Sequence, residues 1–163
     1  MNRIVIGSDK TGFPLKESVR AHFVSKGFTV EDVGNTTPDT NLLYFEVAAR
    51  LAAKIQSGEF ERGILFCGTG MGMNIVANKF KGIYAGVVES GYCAKMSSAI
   101  NRVNVLTMGS FVMGSRMAID AIEDWLSTGF LDGVMEERKP FISQGYEKVI
   151  ELENETMKEL PQR

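Results

Sequence analysis

The chain has 163 residues, 44% hydrophobic and 23% charged, close to the averages for a globular domain and too apolar for a disordered one. Its 18 Lys and Arg against 20 Asp and Glu leave a net charge of -2, so no general attraction to nucleic acid or to an anionic membrane surface follows. No apolar run approaches the ~20 residues that cross a bilayer, and the first residues lack a signal-peptide layout. Cys67 and Cys93 make no disulfide framework, and the expected compartment is the cytoplasm. With one His and two scattered Cys, no zinc site is expected, nor any other metal or cofactor.

Arg3–Gly7 (R-I-V-I-G) reads as a buried strand. Phe13–Lys26 reads as a helix, with Phe13, Leu15, Val19, Phe23 and Val24 near helical spacing and Gly27 closing it. Thr29–Val33 is a second strand, polar enough for a sheet edge, and Asn35–Asn41 is a loop by composition. Leu43–Gln56 is an Ala-rich helix stopped by Ser57-Gly58. Gly63–Phe66 is a third strand, apolar throughout, as a strand covered on both faces is. Cys67–Gly72 (C-G-T-G-M-G) leads into a helix ending near Lys79. Ile83–Val88 is a fourth strand and Asn104–Met108 a fifth. Between them Tyr92–Ile100 is a helix in which Cys93 reads as a small packing residue. Met117–Leu126 is a helix containing the only Trp, Trp125. From Pro140 to Leu160 the chain reads as a helix with an apolar stripe of Ile142, Tyr146, Val149, Ile150 and Leu152.

Strands alternating with helices predict an α/β single domain, a five-stranded parallel sheet with helices on both faces, plus a C-terminal helix. The stripe on that last helix suits docking on its own core or on a partner subunit. Ligands of such sheets bind beyond the carboxyl ends of the strands, at a switch point in strand order. The loops after the first and third strands are therefore the ones to read for chemistry.

Three glycines within Cys67–Gly72 open backbone conformations closed to other residues and let a ligand approach the chain. Successive N–H groups ahead of a helix form an anion site, and a helix start favours the thiolate of a cysteine placed there. One loop thus offers a base, Cys67, and an anion hole, a pairing suited to removing a proton beside a carbonyl. The plainer alternative is a Gly-rich turn with an inert buried cysteine. The loop lacks the Gly-Lys-Ser/Thr ending of a P-loop, and its spacing is not G-x-G-x-x-G. In Gly7–Phe13, Asp9 suits sugar hydroxyls and Lys10 suits a phosphate as a point charge, while Ser8, Asp9 and Thr11 equally suit helix capping.

Taken in order, Ile6-Gly7-Ser8-Asp9 with Gly12-Phe13, the run from Gly63 to Gly72, Ala77-Asn78-Lys79, Asn101, Asn104-Val105-Leu106, Met108-Gly109-Ser110 and Asp124-Trp125-Leu126 resemble the ribose-5-phosphate isomerase B / galactose-6-phosphate isomerase family. The resemblance runs from about Arg3 to Arg138. It implies a flavodoxin-like three-layer fold and metal-free aldose–ketose isomerisation of a phosphorylated sugar through an enediolate. It also implies active sites formed between subunits of a homo-oligomer. By the same resemblance Cys67 is the base, and Gly68, Thr69, Gly70, Met71 and Gly72 hold substrate and enediolate. Asp9, Asn101 and Tyr44 contact the sugar, although Phe45-Glu46 replaces the family's Pro-Asp after the tyrosine, and Arg138 contacts the phosphate. Residues 1–138 then form the isomerase domain, and 139–163 a helical extension expected to pack on a partner subunit.

The departures from the family pattern are informative. Lys10 stands for a histidine of the first loop, and Ile100 for the histidine that helps open the sugar ring. Val134 and Met135 stand for an arginine and a histidine of the phosphate clamp. Three explanations fit: a substrate that needs no opening, such as a four-carbon sugar 4-phosphate; a partner chain that supplies the missing groups; or replacement by Lys10 and neighbouring-subunit residues with pentose-phosphate activity retained. The expected function is a phosphosugar isomerase of altered specificity. The alternatives are a non-catalytic, sugar-phosphate-binding or partner-dependent subunit and, by fold analogy alone, a flavin- or nucleotide-binding module.

Overall fold

Apolar, β-branched runs form five strands, β1 (Arg3–Ser8), β2 (Thr29–Asp32), β3 (Gly63–Cys67), β4 (Ala85–Val87) and β5 (Val105–Gly109), in a computed structural model that describes residues 2–157. They pair in parallel in the order β2-β1-β3-β5-β4. The last two strands are exchanged relative to the 2-1-3-4-5 order of flavodoxin, while the three-layer arrangement is the expected one. Parallel neighbours need crossovers, and these carry α1 (Phe13–Ser25), α2 (Tyr44–Gln56), α3 (Met71–Ala77), α4 (Gly91–Asn101) and α5 (Ser115–Ser127) onto the two faces. A last helix, α6 (Lys139–Thr156), follows a 3-10 turn at Glu136–Arg138.

Alternation along the strands builds two cores. Ile4, Ile6, Ile64, Phe66, Leu106 and Met108 meet Leu15, Val19 and Phe23 of α1 and Ala118, Ile122 and Trp125 of α5. Val5, Leu65, Cys67 and Val105 face the other way, onto Val47 and Leu51 of α2 and Met73 and Ala77 of α3. Each large side chain so buried contributes about 1.5–3 kcal/mol. The inner strands β3 and β5 are buried along their whole length, and the polar β2 lies at an edge, half exposed.

The fourth strand is shorter than the sequence suggests, and at its amino end side chains take up the backbone groups. Asn78 donates to the Ala85 carbonyl and accepts from the Ala85 N–H, each at 2.9 Å, and Asn104 Oδ1 accepts the Tyr84 N–H at 2.8 Å. Cys93 is exposed near the start of α4 rather than packed.

The tail helix docks on its own chain. Ile142 is buried, Arg102 lies over the rings of Phe130 and Tyr146, and Glu153 accepts from the Gly82 N–H at 2.7 Å and from the Tyr84 hydroxyl at 3.1 Å. Burial, and then the Glu153 carboxylate, push the Tyr84 phenol up to about 12. The apolar stripe divides: Val149 and Leu152 stay exposed, as does Phe141. The stretch from 158 to 160 lies outside the described residues.

Candidate active site

The chain order reverses between β1 and β3, and their carboxyl ends set the Asp9–Thr11 turn beside the Cys67–Gly72 loop. The turn is fixed tightly. Asp9 donates its N–H to the Phe66 carbonyl at 3.3 Å and accepts the Gly12 N–H on Oδ1 at 2.9 Å. Gly12 presses so closely on β3 that a Cβ there would lie 2.2 Å from the Phe66 oxygen. Asp9 closes the turn and no side chain caps α1, so capping does not account for Ser8 and Thr11. The Ser8 hydroxyl is buried without a partner among the described residues. Lys10 projects into solvent and makes no ion pair among the described residues.

Cys67 ends β3 with 5% of its surface exposed, and its Sγ accepts the Gly70 N–H at 3.1 Å. Gly70 sits at φ 80, a left-handed conformation that aims its amide back at the sulfur. Thr69 Oγ1 accepts the Met71 N–H at 3.4 Å. Two of the loop's amides are therefore already engaged, so the anion hole is narrower than the glycine count suggests. The Thr69 hydroxyl, which accepts here, keeps its own proton to donate.

A third loop, after β5, completes this end. Ser110 donates its N–H to the Cys67 carbonyl at 2.9 Å and its hydroxyl to the Thr11 carbonyl at 3.0 Å. Phe111 donates its N–H to the Gly68 carbonyl at 3.0 Å. Its ring lies against Gly68, where a Cβ would come within 2.8 Å of Cε2, yet the side chain is 78% exposed. Composition and spacing do not single out Phe111. The one signal for it is its place directly after Met108-Gly109-Ser110, in a loop at the carboxyl end of a strand.

Tyr44, the first residue of α2, lays its ring over Gly72, 3.1 Å from where a Cβ would stand. A fully buried ammonium holds that wall in place. Lys16 of α1 pairs with Asp32 and donates to the Asn35 carbonyl. Asn35 then grips both backbone groups of Leu42, accepting at 2.8 Å and donating at 3.3 Å, and so closes the loop that delivers Tyr44.

Asn101 and Arg138 are not at this end. Asn101 closes α4 just before β5 begins at Val105, at the amino end of the sheet. It lines a groove of about 510 Å³ with Ile100, Phe141, Tyr146 and Val149. Arg138 is exposed in the segment that returns from α5, which the Leu131 N–H ties to the Ala99 carbonyl at 2.8 Å. One chain therefore presents two groups of site residues. Cys67, Thr69, Asp9, Lys10, Tyr44, Gly68, Gly70, Met71 and Gly72 gather at the carboxyl ends, and Asn101 and Arg138 lie at the opposite side. Among the described residues no cluster of His, Cys, Asp and Glu could hold a metal ion, and no helix is long and apolar enough to cross a membrane.

Comparison with known proteins gives a consistent result. The family model described as Ribose/Galactose Isomerase matches residues 4–140. The 4-deoxy-4-sulfo-D-erythrose isomerase of Clostridium sp. (strain MSTE9) is 47% identical over 151 residues, 93% of this chain and 95% of that protein. The D-erythrulose-4-phosphate isomerase of Pectobacterium atrosepticum is 38% identical, over 82% of this chain and 88% of its own. The structure of ribose-5-phosphate isomerase B from Mycoplasma genitalium with bound ribulose-5-phosphate matches with a TM-score of 0.83 at 33% identity, over 94% of this chain and 97% of that one.

Proposed function

The chain belongs to the ribose/galactose isomerase family and is an aldose–ketose isomerase, and from that premise we propose that its substrate is an open-chain four-carbon aldose with an anionic group on C4, a sulfonate. The observation that carries the chain length is Ile100. At the position where the family resemblance puts a ring-opening histidine stands a side chain that moves no proton, in an apolar groove. A four-carbon sugar substituted at C4 cannot close a five-membered ring, so it needs no such group. The sulfonate is supported by the 47%-identical relative that acts on 4-deoxy-4-sulfo-D-erythrose.

In this reading the Cys67 thiolate removes the C2 proton of the aldose. Electron density moves to O1, where loop amides not engaged within the chain meet the developing charge. The Thr69 hydroxyl relays the O2 proton to O1, and the Cys67 thiol returns its proton to C1, which leaves the ketone at C2. Asp9 and Tyr44 hold hydroxyls, and Lys10 faces the anionic tail. Asn101 and Arg138 join this set from a second copy of the chain, because within one chain they lie across the sheet. The outward face of α6 is where that copy packs in this reading. Both cysteines are free thiols, which suits a cytoplasmic enzyme.

The test is turnover by the purified chain alone of 4-deoxy-4-sulfo-D-erythrose, the corresponding 4-phosphate and ribose 5-phosphate. The expected result is a kcat/KM for the four-carbon substrates at least ~10-fold above that for ribose 5-phosphate. Preference for the pentose would overturn the chain-length reading, and binding without turnover would favour a non-catalytic subunit.

A further inference from the structure

We propose that Phe111 is a specificity-determining residue: its ring occupies the side of the tail site where a further cation would be needed, so that the tail meets only Lys10 from this chain's own loops and Arg138 from the second copy, and a sulfonate monoanion is selected over a phosphate dianion. This inference rests on the four-carbon, C4-anion reading above.

The ring is placed where it can act. Phe111 lies against Gly68, the residue next to Cys67, and a Cβ on Gly68 would also come within 3.4 Å of Thr11 Cγ2. The third loop and the Lys10 turn thus bracket the same glycine. Both are pinned, Phe111 by its own N–H on the Gly68 carbonyl and Thr11 by the Ser110 hydroxyl. In the proposed substrate C4 is two bonds from C2, the carbon that meets Cys67, so its anion falls beside Gly68 and between these loops.

The charge available there is small. The turn after β1 carries Lys10 and Asp9, the loop after β3 carries no ionisable group besides Cys67, and the stretch from Ser110 to Gly114 carries none. A phosphate monoester brings about -1.5 to -2 charges at neutral pH and strong acceptor oxygens. Placed against an aromatic face, with Asp9 beside Lys10 and only Arg138 added from the second copy, it loses hydration that these groups replace only in part. A sulfonate brings a single, more weakly hydrated charge, which these cations balance with less lost hydration. An aromatic side chain left 78% exposed at the mouth of a polar site is also explained if it covers the tail when substrate binds.

The experiment compares the full chain with its Phe111→Arg and Phe111→Leu variants on 4-deoxy-4-sulfo-D-erythrose and on the corresponding 4-phosphate. The wild type is expected to favour the sulfonate at least ~10-fold in kcat/KM, and Phe111→Arg to move that ratio toward phosphate by ~30-fold or more, mainly through KM. Phe111→Leu, which keeps an apolar wall, leaves the ratio within about threefold. Wild-type inhibition by 2-hydroxyethanesulfonate against 2-hydroxyethyl phosphate gives a second readout that needs no variant to fold, and the sulfonate is expected to bind more tightly. A phosphate-preferring wild type, or a ratio that Phe111→Arg leaves unmoved, overturns the proposal while the isomerase reading stands. So does an equal loss on both substrates with loss of the oligomer, since Phe111 then only packs against the second copy. Turnover of neither substrate by the wild type overturns the function reading itself, and this inference with it.

Discussion

Asn101 and Cys67 stand at opposite ends of the same sheet: Asn101 closes α4 ahead of Val105, where β5 begins, and Cys67 ends β3 beside Gly109, where β5 finishes. The four residue steps of β5 between them amount to roughly 13 Å at ~3.3 Å each, more than a side chain spans. A site that uses both residues needs two copies of the chain.

That requirement can be measured by complementation. A Cys67→Ala chain and an Asn101→Ala chain are each expected to be inactive as homo-oligomers. Co-refolded in equal amounts as two-fold dimers, they regain up to roughly one quarter of wild-type activity, because half the dimers are mixed and each mixed dimer holds one intact site. No recovery, in a mixture shown to exchange subunits, would mean that each site is built from one chain.

Lys16 bears on stability as well as on the site. Its side chain is fully buried and its partner Asp32 is 12% exposed. Lys16→Met leaves that carboxylate and the Asn35 carbonyl without their cation, and the expected loss is about 3–5 kcal/mol in denaturant unfolding. The double variant Lys16→Met with Asp32→Asn recovers part of the loss, since the uncompensated charge is gone. If the single variant unfolded like wild type, Lys16 would not hold the β2–α2 connection that places Tyr44.

Much of this structure is legible in the sequence, and the exceptions share a cause. Gly63–Phe66 announces β3 because it is buried on both faces and therefore apolar at every position. Thr29–Asp32 announces an edge because it is polar, with Glu31 reaching solvent. The fourth strand is misjudged at its amino end, since whether the Tyr84 and Ala85 backbone groups meet a strand or the Asn104 and Asn78 side chains is settled in three dimensions. Lys16 hides in the same way: a lysine in a helix is usually solvated, and only the fold brings Asp32 and Asn35 to it. The Cys67–Gly72 loop carries its chemistry in its composition. Phe111 does not, because a phenylalanine after a strand reads as core until Gly68 is seen beneath it. The separation of Asn101 and Arg138 from Cys67 follows from which way each helix runs, and residue types do not record that.

The central claim is that the Cys67 sulfur moves the proton between C2 and C1, and solvent isotope exchange tests it most directly. With 4-deoxy-4-sulfo-D-erythrose in deuterated water, the wild-type chain is expected to place deuterium at C1 of the ketose. Cys67→Ala, with melting temperature retained, is expected to slow both exchange and isomerisation by about 10²–10⁴-fold. Undiminished deuterium incorporation in the folded Cys67→Ala chain would contradict the account, because another group would then be carrying the proton.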